Sequence, residues 1–306
     1  MKKTIFSLSM MFFSLMTWAQ PQGFGQSGPE PDWKDINYAG DEMEAHRLDI
    51  YLPKDGRDKH KVVVAIYGNA WFSNNMKSMA YMSIGKPLTE AGFAVVCINH
   101  RSSSDAKYPA QINDVKGALR FIRANADKYK LDTSFIGITG FSSGGHLSSM
   151  AGVTNGMKSH TIGEKTIEVE GNVGGNNKFS SNVDAVVDWF GPIDMTRMNN
   201  CETVKDANSP EAALIGGNPA DNMDMTQLSS PYFYVSKSTV PFVVIHGDAD
   251  NVVPYCQSVY FSEELKKNGK LADFITVSGG QHGPVTFNND TFKKMVDFFK
   301  KEAKMK

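Results

Sequence analysis

The chain alternates short apolar runs with amphipathic stretches. Six mostly apolar runs rich in β-branched or aromatic residues fit strands covered on both faces, at residues 61–67, 93–98, 135–139, 183–190, 242–245 and 274–277. One helix face is visible in the spacing of Ile112, Val115, Leu119 and Ile122. Helical patterns also cover residues 262–267 and 290–301. Strands that alternate with helices predict an α/β fold whose mainly parallel, twisted sheet carries helices on both faces.

Three segments depart from this alternation. Residues 46–52 alternate polar and apolar positions, which predicts an antiparallel edge strand at the start of the sheet. Residues 20 to about 40 are rich in Gly, Pro, Gln and Ser, and they predict a loose lead-in. Residues 154–181 are polar and rich in Gly and Asn, with a short alternating piece at 167–170. We interpret this last segment as an inserted loop or hairpin near the functional site.

The N-terminus has the pattern of a signal peptide. Lys2 and Lys3 form a positive start, and the apolar run 5–16 is too short to span a bilayer with ease. Thr17 and Ala19 are the small residues of a cleavage site, so cleavage is expected after Ala19. An uncleaved N-terminal anchor is the less favoured alternative. The pattern predicts export to the periplasm or the medium, with no membrane span left after processing.

The predicted organisation is therefore a signal peptide at 1–19, a lead-in at 20–45 and a single domain at 46–306. The 306 residues carry a net charge of −1, which gives no reason to expect nucleic acid as a partner. Three cysteines in an exported chain leave at least one unpaired. Cys97 lies in an apolar run and is predicted to be a buried strand thiol, whereas Cys201 and Cys256 could pair. None of the three has the spacing of metal ligands, and no metal or organic cofactor is expected.

The strongest chemical signal is Gly140-Phe141-Ser142-Ser143-Gly144, which lies between a predicted strand and a predicted helix. Gly-x-Ser-x-Gly in this context is typical of a nucleophile elbow, a strained turn that exposes the central serine. Small residues two places before and after the serine let the strand and the helix pass closely. This spacing favours Ser142 over Ser143, because Phe141 would occupy the first of those places for Ser143.

A serine nucleophile needs an imidazole base, which in turn needs a carboxylate to orient it. His282 is the candidate base, because it lies late in the chain in a glycine-rich loop after a strand. The earlier histidines His246 and His146 are interpreted as structural. For the acid, Asp248 and Asp250 both follow a buried strand and remain open at this point. Asp194 is a third candidate, and a role as a turn or cap residue suits it better.

The chain resembles the bacterial carbohydrate-esterase branch of the α/β-hydrolases, near the hormone-sensitive-lipase-like esterases and the feruloyl and acetyl-xylan esterases. The resemblance runs from about residue 46 to the C-terminus. It rests on blocks that occur in the order of the family, namely Tyr67-Gly68-Asn69-Ala70-Trp71, Asn99-His100-Arg101, 108–116, 140–147, 190–194, 246–254 and 280–283. The resemblance implies the α/β-hydrolase fold, a serine esterase activity, Asp250 as the acid and His282 as the base.

One block departs from the family pattern, because Asn69 and Ala70 stand where the family usually has glycines. The resemblance implies that the backbone N–H groups of Asn69, Ala70 and Ser143 form the oxyanion hole. Trp71 is expected either to provide an aromatic wall for a sugar or phenolic group or to pack under the loop.

Two charged residues near these blocks, Arg101 and Asp114, are expected to form a structural ion pair or hydrogen bonds rather than to act on substrate. The predicted activity is hydrolysis of a small or oligosaccharide ester through an acyl-enzyme, with removal of acetyl or hydroxycinnamoyl groups from plant polysaccharide. The alternatives are a serine exopeptidase of the prolyl-oligopeptidase type and a non-catalytic, carbohydrate-binding hydrolase fold.

Overall fold

A computed structural model describes residues 28–305. The predicted signal peptide lies outside the described residues. The strands are β1 (Trp33–Asn37), β2 (Arg47–Tyr51), β3 (His60–Ile66), β4 (Ala94–Ile98), β5 (Leu131–Phe141), β6 (Ser159–Ile162), β7 (Lys165–Glu168), β8 (Ala185–Trp189), β9 (Phe242–Gly247) and β10 (Leu271–Val277). The α-helices are α1 (Lys77–Ala80), α2 (Lys86–Glu90), α3 (Ala110–Ala124), α4 (Ser143–Val153), α5 (Pro210–Ile215), α6 (Met223–Leu228), α7 (Cys256–Lys267) and α8 (Asn289–Glu302). A π-helical turn, Tyr81–Gly85, joins α1 to α2, and the 3₁₀ turns are Glu44–His46, Met195–Arg197, Pro219–Asp221 and Pro231–Tyr234.

Eight strands form one twisted sheet in the order β1-β2-β4-β3-β5-β8-β9-β10. From β4 to β10 all neighbours are parallel, while β2 pairs antiparallel with both β1 and β4. Each of the six predicted runs overlaps one of the parallel strands. The predicted α/β-hydrolase fold is confirmed.

The sheet has an apolar core on each face. On one face Ile112 of α3, Leu147 of α4 and Leu265 of α7 pack against the sheet. On the other face Leu88 of α2 and Phe299 of α8 are buried against the alternate side chains of the same strands. A strand covered on both faces must be apolar at every position, which is why these strands are continuous runs.

The start of the sheet differs from the prediction in one respect. Residues 47–51 are antiparallel as expected, but β1 lies outside them and forms the edge, although its residues were predicted to be a loose lead-in. A bulge between Trp33 and Ile36 interrupts its register, and the Asp35 N–H donates to Asp49 Oδ1 at 2.7 Å. A five-residue, bulged edge strand carries too little periodicity to stand out in a polar segment.

The insertion contains the predicted hairpin, because β6 and β7 pair antiparallel as a separate two-stranded sheet. The Glu164 N–H at its turn donates to Asp224 of α6, and Asn113 of α3 donates to the carbonyls of Glu168 and Val169. In the described part of the chain, no hydrogen bond joins residues 154–181 to Ser142, Asp250 or His282. The insertion is therefore docked on α3 and α6 rather than on the candidate triad.

Candidate active site

Ser142 lies at the sharp turn between β5 and α4. Its backbone has φ 55° and ψ −125°, a conformation that costs a residue with a side chain about 1–3 kcal/mol. Its N–H donates to the Trp189 carbonyl at 2.9 Å, and its carbonyl accepts from the His146 N–H at 3.0 Å. These bonds to β8 and α4 hold the strained turn in place.

Glycine is required at the two positions that flank Ser142, because other backbone segments come too close there to leave room for a Cβ. A Cβ at position 140 would lie 2.3 Å from the Gly144 carbonyl oxygen, and a Cβ at position 144 would lie 2.3 Å from the Ile66 carbonyl oxygen. Neither backbone neighbour can move aside without breaking the sheet or the start of α4. The spacing argument that chose Ser142 over Ser143 therefore matches the packing.

His282 lies between Ser142 and Asp250. Its Nε2 is 2.9 Å from Ser142 Oγ, and its Nδ1 is 2.7 Å from Asp250 Oδ2. Because an ionised carboxylate only accepts, we assign the proton to Nδ1, which leaves Nε2 free to accept the serine proton. The Phe190 ring packs against the imidazole with 4.6 Å between ring centroids. The sequence predicted these three side chains, and the structure brings them into one hydrogen-bonded chain.

Asp250 is held from both oxygens. Oδ1 accepts from the N–H groups of Val252 and Val253 at 2.8 and 3.0 Å, and Oδ2 faces His282. His246 Nε2 lies 3.3 Å from the same Oδ2. Burial alone would raise the pKa of Asp250, but hydrogen bonds from His246 and His282 outweigh it and hold the pKa well below its usual range. Asp250 is therefore ionised at neutral pH, as an orienting carboxylate must be.

The second aspartate of this loop, Asp248, has a different environment. Its Oδ1 accepts from the Gly279 N–H at 2.6 Å, and its side chain is exposed. It ties the loop after β9 to the loop that carries His282. Of the two open candidates, the geometry places Asp250 on His282 and Asp248 away from it.

Asp194, the third acid candidate, accepts from the Thr196 N–H at 3.0 Å and caps the turn Met195–Arg197. The other charged candidates also have structural partners. Asp114 is fully buried and accepts from both side-chain and backbone nitrogens of Arg101, which is the predicted ion pair.

Two further histidines support the loops around the site. His246 Nε2 donates to the Val253 carbonyl at 3.1 Å, and its Nδ1 lies 2.7 Å from Ser258 Oγ. His146 is buried, and burial lowers its pKa to about 4. Its Nε2 lies 2.7 Å from the Ser229 carbonyl oxygen. Both contacts agree with the structural roles predicted for these histidines.

The loop opposite the serine differs from the prediction at Asn69. The Asn69 N–H donates to the Ser143 side-chain oxygen at 2.9 Å, so it does not point into the site. Ala70 and Trp71 have φ of 48° and 60°, a left-handed conformation that costs non-glycine residues about 1–2 kcal/mol each. Within residues 28–305, the N–H groups of Ala70 and Ser143 have no hydrogen-bond partner. They remain as the two candidate oxyanion donors.

Trp71 does not form an aromatic wall. It is only 2% exposed, and its Nε1 donates to His146 Nδ1 at 3.2 Å, so the alternative of packing under the loop describes it. The next residue, Phe72, is 52% exposed. Two successive left-handed residues turn the chain so that Trp71 enters the core and Phe72 faces solvent. The sequence alone gave no signal to separate these adjacent aromatics.

A buried carboxyl next to the nucleophile turn, that of Asp188, is not indicated by any sequence pattern. It lies on β8 opposite Gly140, and its Oδ1 accepts from the Gly191 N–H at 3.2 Å. A Cβ at Gly145 would lie 2.4 Å from the same oxygen. Within the described residues Oδ2 has no partner, and burial raises the pKa of Asp188 to about 7. The apolar run around it gave no hint that this position carries chemistry.

No group of three His, Cys, Asp or Glu side chains in residues 28–305 is arranged to hold a metal ion. The same stretch contains no helix with the length and apolar content of a membrane span.

The chain is similar to a known family and to several known proteins. The family described as BD-FAE matches residues 48–265. The probable carboxylic ester hydrolase LipM of Mycobacterium tuberculosis is 31% identical over 238 residues, which are 77% of this chain and 52% of that protein. Esterase LipC of the same organism is 29% identical over 78% of this chain and 57% of its own length. The chain thus spans about half the length of the curated relatives it matches.

Two solved structures are more similar. A bifunctional GH43-CE protein of Bacteroides eggerthii is 68% identical, with a TM-score of 0.87; the match covers 89% of this chain and 35% of that one. A truncated form of a carbohydrate esterase from gut microbiota is 54% identical, with a TM-score of 0.88, over 89% of this chain and 96% of that one.

Proposed function

From the premise that the chain belongs to the BD-FAE family and is an α/β-hydrolase serine esterase, we propose that it is an exported esterase that removes acetyl or hydroxycinnamoyl groups from plant polysaccharide or oligosaccharide through an acyl-enzyme. The observation that carries the mechanism is the chain of contacts from Ser142 through His282 to Asp250. The carbohydrate substrate is supported by the similarity to a carbohydrate esterase at 54% identity.

In the first half-reaction, Ser142 Oγ attacks the ester carbonyl carbon while its proton moves to His282 Nε2. The carbonyl electron pair moves to the oxygen, and the N–H groups of Ala70 and Ser143 donate to the resulting oxyanion. Asp250 orients the imidazole and stabilises its charged form. The oxyanion then collapses, and the alcohol, here a sugar hydroxyl, leaves with the proton from His282.

In the second half-reaction, water attacks the acyl group on Ser142 while His282 takes its proton. Collapse of the second tetrahedral intermediate breaks the acyl–Oγ bond, and His282 returns the proton to Ser142. The proton transfers use Ser142 and His282, which are already in hydrogen-bond contact, and no step requires an added cofactor. Phe72, the exposed aromatic that follows Trp71, is the candidate for a substrate contact on this loop.

Export is proposed from residues 1–19, and one feature of the described chain supports it. Cys201 and Cys256 form a disulfide, and disulfides persist in oxidising compartments. Cys97 is buried and unpaired within residues 28–305.

The acyl-enzyme is tested with Ser142→Ala. We expect kcat on p-nitrophenyl acetate to fall by roughly 10⁴-fold or more, because the nucleophile is lost. We also expect a fluorophosphonate probe to label the wild-type protein on Ser142 and to leave the variant unlabelled. Full activity or labelling of the variant would exclude this mechanism.

The substrate is tested with acetylated and feruloylated xylo-oligosaccharides, by measuring the released acid. Release of acetate or a hydroxycinnamate, with loss of that release in Ser142→Ala, supports the proposal. A dipeptidyl anilide serves as the peptidase control. Faster cleavage of the anilide than of every sugar ester would favour the exopeptidase alternative and contradict the proposal.

A further inference from the structure

The side chain that follows the nucleophile is the partner of the opposite loop. Ser143 is the first residue of α4, is almost fully buried, and accepts the Asn69 N–H on its Oγ. This bond joins the two segments that carry the candidate oxyanion donors. The Ser143 backbone N–H lies on one of them and the Ala70 N–H on the other.

The loop itself is under conformational strain. Ala70 and Trp71 adopt the left-handed region in succession, where residues with a Cβ are disfavoured. Gly68, just before them, is pressed against the elbow, since a Cβ there would lie 2.4 Å from the Phe141 carbonyl oxygen and 2.6 Å from Ser142 Cβ. The loop therefore cannot relax toward the serine, and bonds to its neighbours must hold it.

The other hydrogen bonds of the loop join its own residues to each other, to the loop after β4 and to His146 of α4. The Phe72 N–H donates to the Asn69 carbonyl at 2.9 Å, and the Ser103 N–H donates to the Trp71 carbonyl at 2.8 Å. The Tyr67 hydroxyl donates to the Ser73 carbonyl at 2.8 Å. Two hydrogen bonds within residues 28–305 link the loop to the first turn of α4, one from the Asn69 N–H to Ser143 Oγ and one from Trp71 Nε1 to His146 Nδ1. The first lies immediately before Ala70 and reaches the residue that carries the second candidate donor.

We propose that Ser143, through its hydroxyl group, is a positioning residue for the oxyanion hole. By accepting the Asn69 N–H, it fixes the loop in the strained form that aims the Ala70 N–H at the same point as the Ser143 N–H. Asn69 thus serves the site as an anchor, and its N–H is not a third donor. This inference rests on the proposed acyl-enzyme mechanism, because the oxyanion forms when Ser142 attacks.

The test compares Ser143→Ala with a matched control on the same helix. Ser149→Ala also removes a fully buried hydroxyl from α4, but that hydroxyl has no hydrogen-bond partner in the described chain. The substrate is p-nitrophenyl acetate. A trifluoromethyl ketone serves as an inhibitor that mimics the tetrahedral intermediate. Ser142 Oγ adds to its carbonyl carbon, the serine proton moves to His282, and the former carbonyl oxygen becomes an oxyanion.

We expect Ser143→Ala to lower kcat about tenfold, less than the roughly 10²–10³-fold expected for complete loss of one donor. KM should stay within about twofold, because the ground-state ester carries no oxyanion. Affinity for the trifluoromethyl ketone should fall by the same factor as kcat. Ser149→Ala should leave all three quantities unchanged. If the role of Ser143 were purely structural, the variant would have a lower melting temperature, but its ketone affinity would not fall while its KM stayed constant.

Two results would overturn the inference. If Ser143→Ala kept the kcat of the Ser149→Ala control, the bond would have no role in positioning. If kcat rose, the hydroxyl would be withholding Asn69 as a donor. Either result leaves the proposed mechanism intact as long as Ser142→Ala is inactive, so the two failures are distinguishable.

Discussion

Asp188 makes the stability of this protein depend on pH in an unusual direction. Burial raises the pKa of its carboxyl from about 3.8 to about 7, so the folded state binds a proton that the unfolded state releases. The contribution of Asp188 to stability is then largest below about pH 4, falls as the pH rises to about 7, and changes no further above it. The shift corresponds to at most about 4 kcal/mol, because each pKa unit is about 1.4 kcal/mol.

We predict that Asp188→Asn removes this pH dependence. The amide oxygen can still accept from the Gly191 N–H, and no charge has to be buried. The difference in melting temperature between variant and wild type should grow in favour of the variant from pH 4 to pH 7 and then remain constant. Thermal unfolding at pH 4, 5.5, 7 and 8 measures it. A difference that is the same at all four values would show that Asp188 does not titrate in this range.

Site residues could be predicted from the sequence at positions where the backbone geometry allows only one residue type. A Cβ at Gly140 or at Gly144 would lie 2.3 Å from a backbone oxygen, so the spacing of these glycines between a strand and a helix located Ser142. The orientation of side chains on a loop could not be predicted from the sequence. Trp71 and Phe72 are adjacent and both aromatic, and their opposite exposures follow from two left-handed residues that no sequence pattern indicates. The Asn69 N–H was misassigned for the same reason, since its partner is a side chain 74 positions away.

At the scale of elements, buried ion pairs join helix α3 to the insertion at residues 154–181. Lys116 and Arg120, which are four positions apart on one helix face and almost fully buried, both contact Glu170 of the insertion. Arg120 also donates to the carbonyls of Val173 and Gly175, and the Ser181 hydroxyl donates to Glu170 Oε2 at 2.6 Å. Burial lowers the pKa of Lys116, while the Glu170 carboxylate opposes that effect.

We predict that Glu170→Gln destabilises the protein by about 2–3 kcal/mol, because two buried cations lose their carboxylate. The melting temperature should fall by several degrees, and proteolysis within residues 171–181 should become faster. Activity on p-nitrophenyl acetate below the melting temperature should not change, since the insertion has no hydrogen bond to the triad.

The matched control is Glu164→Gln, at the exposed turn of the β6–β7 hairpin. It removes the same charge from the same insertion without uncovering a buried cation. Equal melting temperatures for the two variants would contradict the role given to Glu170.

The elements were predictable in proportion to their burial. Strands β3, β4 and β9 are apolar at nearly every position because helices cover both faces, and their runs stood out in the sequence. The edge strand β1 is half-exposed and bulged, so its sequence pattern does not differ from that of a lead-in segment. The docking of the insertion on α3 depends on contacts between residues about 50 positions apart, which periodicity does not encode.

At the scale of the whole molecule, the disulfide joins two segments near the site. Cys256 opens α7, just after the loop that carries Asp250, and Cys201 follows the turn Met195–Arg197. The bond closes a loop of 55 residues. In the chain-entropy description, a crosslink of this span stabilises the folded state by about 4 kcal/mol through the unfolded ensemble.

We predict that the double variant Cys201→Ser/Cys256→Ser unfolds at a clearly lower temperature, with about 2–4 kcal/mol less stability. It should keep the kcat of the wild-type protein well below that temperature, because the Ser142, His282 and Asp250 contacts do not involve either cysteine. Dithiothreitol provides the matched comparison. It should lower the melting temperature of the wild-type protein to that of the double variant and leave the double variant unchanged, since Cys97 is buried and unpaired in the described chain. If the reductant had no effect on the wild-type protein and the variant melted at the wild-type temperature, the disulfide would not contribute to stability.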